Sequence, residues 1–137
     1  MTFAIKAKVK NPRAASFAFR AQKTMYAGTR IATGDMIFVF ASENEGGSGL
    51  IASGIVTSAS AIPKKVGIAR QTPRVSISVK RTALAKRRLG RGELKPFSDW
   101  NDGRPETELN FKFYRQATNK IAGISDEAAM YLRGFFG

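Results

Sequence analysis

Residues 74–81 read RVSISVKR, with Val75, Ile77 and Val79 on one side of the chain and Ser76, Ser78 and Lys80 on the other. Alternation with a period of two suits an extended strand with one buried face, whereas an amphipathic α-helix repeats its apolar residues about every 3.6. The signature recurs along the chain. FAIKAKVK sets Phe3, Ile5, Ala7 and Val9 against Lys6, Lys8 and Lys10, which predicts a half-buried strand with a lysine face, stopped by Asn11-Pro12. SFAFRAQ repeats the pattern with Phe17 and Phe19, and ELNFKFYRQ repeats it with Leu109, Phe111 and Phe113. In TGDMIFVFAS a Thr-Gly-Asp turn precedes Met36, Ile37, Phe38, Val39 and Phe40, a run too short for a helix and apolar on both faces, hence a central strand. ENEGGSG reads as a loop and LIASGIVTSA as the next strand, in which Gly54 predicts a bulge or a close backbone approach.

The C-terminus follows a different period. Ser125 is placed to cap a helix whose first turn carries Asp126 and Glu127, favourable at the positive end of the helix dipole. Ala128, Leu132, Phe135 and Phe136 follow at i, i+4, i+7 and i+8, an apolar helical face. Six strands and a short terminal helix predict a mixed α+β, mainly β fold: a small β-barrel with helical additions. The 137 residues are expected to form a single domain spanning 1–137.

Charge narrows the function. The net charge is +13, and its placement is lopsided: no acid precedes Asp35, and none lies between Gly46 and Gly92. Such a field attracts polyanions, and phosphate neutralisation is its commonest use in a small protein. The chain has no Cys and no His. Zinc sites and Cys-His or Ser-His nucleophilic catalysis are thereby excluded, together with the commonest general base. Carboxylates remain: SDWNDGRPETE offers Asp99, Asp102, Glu106 and Glu108, which a magnesium-dependent nuclease would need gathered around an ion. Their spacing fits turn residues offsetting the adjacent basic segment better. ENEGGSG lacks the Lys and Ser/Thr of a phosphate-cradling loop. No signal-peptide run or membrane-span length occurs, so a cytoplasmic protein without membrane partner, metal or cofactor is expected.

KRTALAKRRLGRGELKPFSDW, residues 80–100, concentrates the basic charge and ends on the only tryptophan. Lys86, Arg87, Arg88 and Arg91 resemble phosphate-contacting residues, a task that needs charge and reach more than fixed geometry. Trp100 has two readings. A lone indole often belongs to a core, yet Ser98, Asp99, Asn101, Asp102 and Gly103 surround this one with a polar, turn-like setting. There it would stack on a base or wall a pocket, with Asn101 beside it.

YAGTRIATGDMIFVFASENEGGSGLIASGIVTSA, residues 26–59, resembles the first half of an EVE domain, a member of the PUA-like barrel superfamily. The matching features are Tyr26-Ala27, Gly34-Asp35, the aromatic strand from Phe38 to Ser42, and Ile51 to Val56. FYRQATNKIAGISDEAAMYLRGFF near the C-terminus is similar to the family's ending, where a strand leads through Ile-Ser into an acidic-capped helix. The upstream Trp-Asp-Gly-Val segment is missing, and the usual Tyr-His-Ser after the central strand is Phe40-Ala41-Ser42. The resemblance implies a PUA-like barrel whose pocket binds a modified or flipped base in RNA or DNA. The expected base pocket is then Tyr26 and Ser42 from the matching segment with Trp100 and Asn101 from the polar turn, and Arg20, Lys23, Arg30, Lys86, Arg87, Arg88 and Arg91 are expected on the phosphate backbone. Three functions compete: a non-catalytic nucleic-acid reader, the magnesium-dependent nuclease, and a protein-interaction module for an acidic partner.

Overall fold

In the computed structural model, which describes residues 1–137, six strands close into a barrel in the order β1-β3-β4-β5-β2-β6. The strands are β1 (Thr2–Ala7), β2 (Ser16–Met25), β3 (Met36–Ala41), β4 (Gly49–Ala61), β5 (Arg74–Leu84) and β6 (Lys120–Ile124). Helices α1 (Arg91–Leu94) and α2 (Pro105–Asn110), the latter continued by a π-helical turn Phe111–Arg115, lie between β5 and β6. Helix α3 (Asp126–Arg133) follows β6. Neighbouring strands are antiparallel except β1 with β3 and β2 with β6, which are parallel. No helix is long and apolar enough to cross a membrane.

Two apolar layers hold the fold. Phe3, Ile5, Ile37, Val39, Val56 and Val79 belong to the cluster inside the barrel. Ala4, Phe38, Phe40, Leu109, Phe113 and Leu132 form a second cluster between the barrel's outer face and the helices. The alternation of β5 is as its sequence demands, with Val75, Ile77 and Val79 buried. β3 sits between β1 and β4 and is buried on both faces, as its apolar run predicts. Gly54 fulfils both halves of its expectation: the β4–β5 register shifts there, and a Cβ would lie 2.5 Å from Val79 Cγ1 and 2.7 Å from the Lys80 carbonyl oxygen. Ser125 caps α3, its Oγ accepting from Ala128 N at 3.1 Å, and Ala128 and Leu132 are buried beneath it.

Two expectations are corrected. β1 has no solvated lysine face at its centre, because Ala4 and Lys6 on its outer side are covered by the helical layer; only Lys8 and Lys10, beyond the strand, are exposed. ELNFKFYRQ is helical. Pro105 occupies the first turn of α2, where its missing N–H removes no bond, and Leu109 and Phe113, four apart, share the buried side. Phe111 turns away to meet Trp100, so its place in the apparent alternation is accidental. The sixth strand is KIAGI instead, buried at every residue.

Candidate functional site

Because β1 and β3 are parallel neighbours, their C-terminal ends reach the same rim of the barrel. β6 is antiparallel to β1 and begins there, with Lys120 opposite Lys6. β2 arrives beside it with a bulge between Phe19 and Gln22, which puts Ala21 at φ 49°. That irregular backbone is held on both sides: Ala21 N donates to Ser76 Oγ at 2.9 Å, and Arg74 Nη1 donates to the Ala21 carbonyl at 2.6 Å. Residues 21–23, Ser42 with Asn44 and Glu45, Arg74, and residues 117–119 enclose a cleft of about 360 Å³ on this rim. Asn119 Nδ2 donates to Glu45 Oε2 at 3.0 Å across it. Lys23 and Arg74 bring two cations to its edge, while Ser42, Asn44 and Asn119 supply neutral donors and acceptors.

Under the rim lie two buried lysines. Lys6 Nζ donates to the carbonyls of Phe113 at 2.6 Å and Ala117 at 2.9 Å. Lys120 Nζ donates to the carbonyls of Lys112, Gln116 at 2.7 Å and Thr118 at 2.8 Å. The five carbonyls belong to the end of the π-helical turn and the segment after it, where helical acceptors lack partners. Cations there also suit the negative end of the helix dipole. Burial, with the Lys6 charge adding to it, pushes Lys120 down to about 8. Burial likewise lowers Lys6, although the Glu43 carboxylate works against it. Glu43 is itself committed: Tyr114 Oη donates to it at 3.0 Å and Arg91 N at 2.7 Å. Burial and that carboxylate raise the Tyr114 phenol well above its ordinary range.

The segment anchored by these lysines displays the other aromatic groups. Tyr26, at the β2 exit, is 37% exposed. Its hydroxyl meets Gln116 Oε1, and Lys112 Nζ stands 4.7 Å from its ring centroid. The chain turns there with Tyr26 at φ 51° and Ala27 at φ 63°, and passes so close to β6 that a Cβ on Gly28 would lie 2.3 Å from the Ile121 carbonyl oxygen. Trp100 is no core residue. It is 36% exposed, edge-on to Phe111 at 5.4 Å, with the Arg115 guanidinium 4.8 Å from its ring centroid. Asn101 is exposed in the adjoining turn. Of Tyr26, Ser42, Trp100 and Asn101, therefore, only Ser42 lines the cleft, and the others lie along residues 111–116 and the turn before α2. Trp100→Ala is expected to lower stability by only about 1 kcal/mol, the worth of an exposed cation–π pair. A thermal melt checks this, and the native indole emission should already be quenched by added iodide.

The basic residues separate into groups. Lys23 is on the cleft, while Arg20 and Arg30 are exposed away from its lining. Lys86, Arg87 and Arg88 line a second recess of about 420 Å³ with Arg13. Arg87 is fixed there, donating to the Gly134 carbonyl at 2.9 Å over the Phe135 ring, and Arg88 Nε is 3.7 Å from Glu93 Oε2. Arg91 Nη2 donates to Asn44 Oδ1 at 2.7 Å. Sequence reasoning missed Arg74 and Asn119. Arg74 lay within the acid-free stretch from Gly46 to Gly92, a signal available for it; Asn119 had none.

The acidic residues do not form a metal site. Asp102 Oδ1 accepts from Arg104 N at 2.9 Å, a bond that holds its carboxyl below the usual range. Glu108 accepts from Ser125 N at 2.8 Å, from Ser125 Oγ and from Lys112 Nζ at 3.0 Å. Burial alone would raise Glu108, but those bonds outweigh it and lower its pKa. No three His, Cys, Asp or Glu side chains lie together so as to hold a metal ion. Of Asp99, Asp102, Glu106 and Glu108, three accept from turn or strand-end backbone N–H groups, and the four are not gathered around a common point as the magnesium-site reading requires.

No protein-family model matches the chain, and no curated protein matches it in sequence. Solved structures do. The DUF55 domain of human thymocyte nuclear protein 1 superposes with a TM-score of 0.65 at 10% identity, covering 98% of this chain and 97% of that one. Human THYN1 protein in complex with 5-methylcytosine-containing DNA gives a TM-score of 0.64 at 12% identity, over 97% of this chain and 95% of that one. A Pseudomonas putida protein gives 0.62 at 13% identity, over 98% and 99%. At such identities the likeness is one of fold: this chain has the six-stranded closed barrel with added helices seen in the DUF55 domain.

Proposed function

We propose that this protein is a non-catalytic nucleic-acid-binding domain, formed by the whole chain, that receives a modified or flipped base at the rim cleft. The observation that carries the reading is the cleft's construction. Ser42, Asn44 and Asn119 set neutral polar groups beside the Glu45 carboxylate, a mixture of donors and acceptors suited to a base edge, and Lys23 and Arg74 flank it as candidates for the phosphates. A volume of about 360 Å³ falls within the roughly 300–1,000 Å³ of small-ligand sites. The buried Lys6 and Lys120 add positive charge to the wall beneath. A neighbour of the same fold is seen with 5-methylcytosine-containing DNA, which supports a nucleic-acid partner.

The test is fluorescence anisotropy with labelled DNA and RNA, with and without 5-methylcytosine, over a range of salt. Binding should weaken steeply with salt, and Lys23→Ala with Arg74→Ala should reduce the logarithmic slope by about one for each phosphate that is no longer neutralised. Absence of binding at low salt, or a slope near zero, rejects the reading. Magnesium should leave the labelled strand intact. Cleavage that disappears in Asp99→Asn/Asp102→Asn would instead make the protein a nuclease.

A further inference from the structure

The loop between β4 and β5 combines features that a solvated connection does not need. Its tip carries Val66, fully exposed, and Ile68, 52% exposed, with Ile62 at 40% on the way up. Lys64, Lys65 and Arg70 surround these side chains, and no acid lies in the loop. The loop is nevertheless built to hold its shape. The Gln71 side chain acts as an internal staple: its Oε1 accepts from Lys65 N at 2.9 Å, and its Nε2 donates to the carbonyls of Lys65 at 2.8 Å and Ile68 at 3.1 Å. Gly67 takes φ +84° at the turn, a backbone that Val66 or Ile68 would adopt only with strain.

Its base is tied to the wall of the cleft. Ile62 N donates to the Arg74 carbonyl at 2.9 Å, and Thr24 donates to the Pro73 carbonyl through both N at 3.1 Å and Oγ1 at 2.7 Å. Arg74 in turn grips the Ala21 bulge. A groove lined by Lys23, Lys64 and Arg70 runs from the loop to the rim, and Lys23 lines both groove and cleft.

We infer that this loop is a wedge: Val66 and Ile68 enter a nucleic-acid duplex at the step vacated by the base in the cleft, while Lys64 and Arg70 hold the flanking phosphates. The inference rests on the proposal that the rim cleft receives a base. Taking a base out of a duplex leaves its neighbours unstacked, and an apolar side chain inserted at that step covers the exposed base faces. An apolar tip held out in water on a stapled loop suits an interaction surface, and the loop's three cations with no acid favour a polyanion as the partner. Val66 is fully exposed and Ile68 about half exposed, both on a loop outside the barrel, so replacing them should leave the barrel intact.

The experiment measures the full-length chain against a duplex DNA containing one 5-methylcytosine, the same strand single, and vesicles of phosphatidylserine and phosphatidylcholine. Val66→Ser/Ile68→Ser should weaken duplex binding about tenfold, the worth of covering one unstacked step, with the salt slope and single-strand affinity unchanged. Lys64→Ala/Arg70→Ala should lower the slope by about two. Duplex affinity unaffected by Val66→Ser/Ile68→Ser overturns the wedge and leaves the cleft reading standing. Binding of single strands alone does the same. A wild-type chain that binds neither DNA form nor the same sequences as RNA overturns both. Tip-dependent binding to vesicles and not to the duplex makes the loop a membrane anchor and overturns the wedge.

Discussion

Deleting residues 125–137 is expected to unfold the barrel. The α3 segment buries Ala128, Leu132 and Phe135 in the outer apolar layer against residues such as Phe38, Phe40, Leu109 and Phe113, and Phe136 packs on Phe38 at 5.7 Å between ring centroids. Truncating one such Leu or Phe costs about 2–5 kcal/mol, against a total domain stability of about 5–15 kcal/mol. The deletion removes several at once. It also frees Glu108, which Ser125 holds through N and Oγ, and leaves Lys86 N without its Phe135 carbonyl at 2.7 Å. Circular dichroism should show no cooperative melt for the shortened chain. Leu132→Ala in the full chain should remain folded with stability lowered by about 2–5 kcal/mol. A shortened chain that melts with the full-length midpoint would show that α3 is an appendage.

That packing also explains where sequence patterns could and could not be read. Alternation reports a strand when one face is apolar and the other wet, which holds for β5 and for β2 around Phe17 and Phe19. It misleads at β1, where the helical layer covers the outer face and Lys6 is buried among carbonyls rather than solvated. The helical layer itself was hidden. Leu109, Phe111 and Phe113 satisfy a period of two by coincidence, and Pro105 with the Leu109/Phe113 spacing was the competing helical signal. β6 was invisible as a pattern because five residues buried on both faces leave no alternation. Of the site, Ser42 was reachable only through the family resemblance, since nothing about a lone serine marks it. Asn119 joins the cleft because β6 closes the barrel beside β1, a long-range fact absent from local sequence.

The buried lysines give the largest pH effect. Lys120 titrates at about 8 in the folded chain and near its ordinary 10.5 when unfolded. Between those values the unfolded chain binds more protons, so stability rises with pH. The cost of burying the charge is fully present below about pH 8 and is relieved as pH approaches 10.5; Lys6, also lowered, contributes in the same direction. With no His or Cys in the chain, no imidazole or thiol competes in this window. Tyr114 acts oppositely above pH 10, where the unfolded phenol ionises and the buried one, raised by desolvation and Glu43, does not. Urea melts should therefore show stability increasing by on the order of 1–3 kcal/mol from pH 8 to 10, then falling. Lys120→Met should flatten the rise. It should also lower stability at pH 7 by about 2–4 kcal/mol, because the carbonyls of Lys112, Gln116 and Thr118 are left without their shared donor inside the fold. A variant that keeps the full wild-type slope would assign the titration elsewhere. A variant more stable than wild type at pH 7 would mean that the buried charge costs more than its hydrogen bonds return.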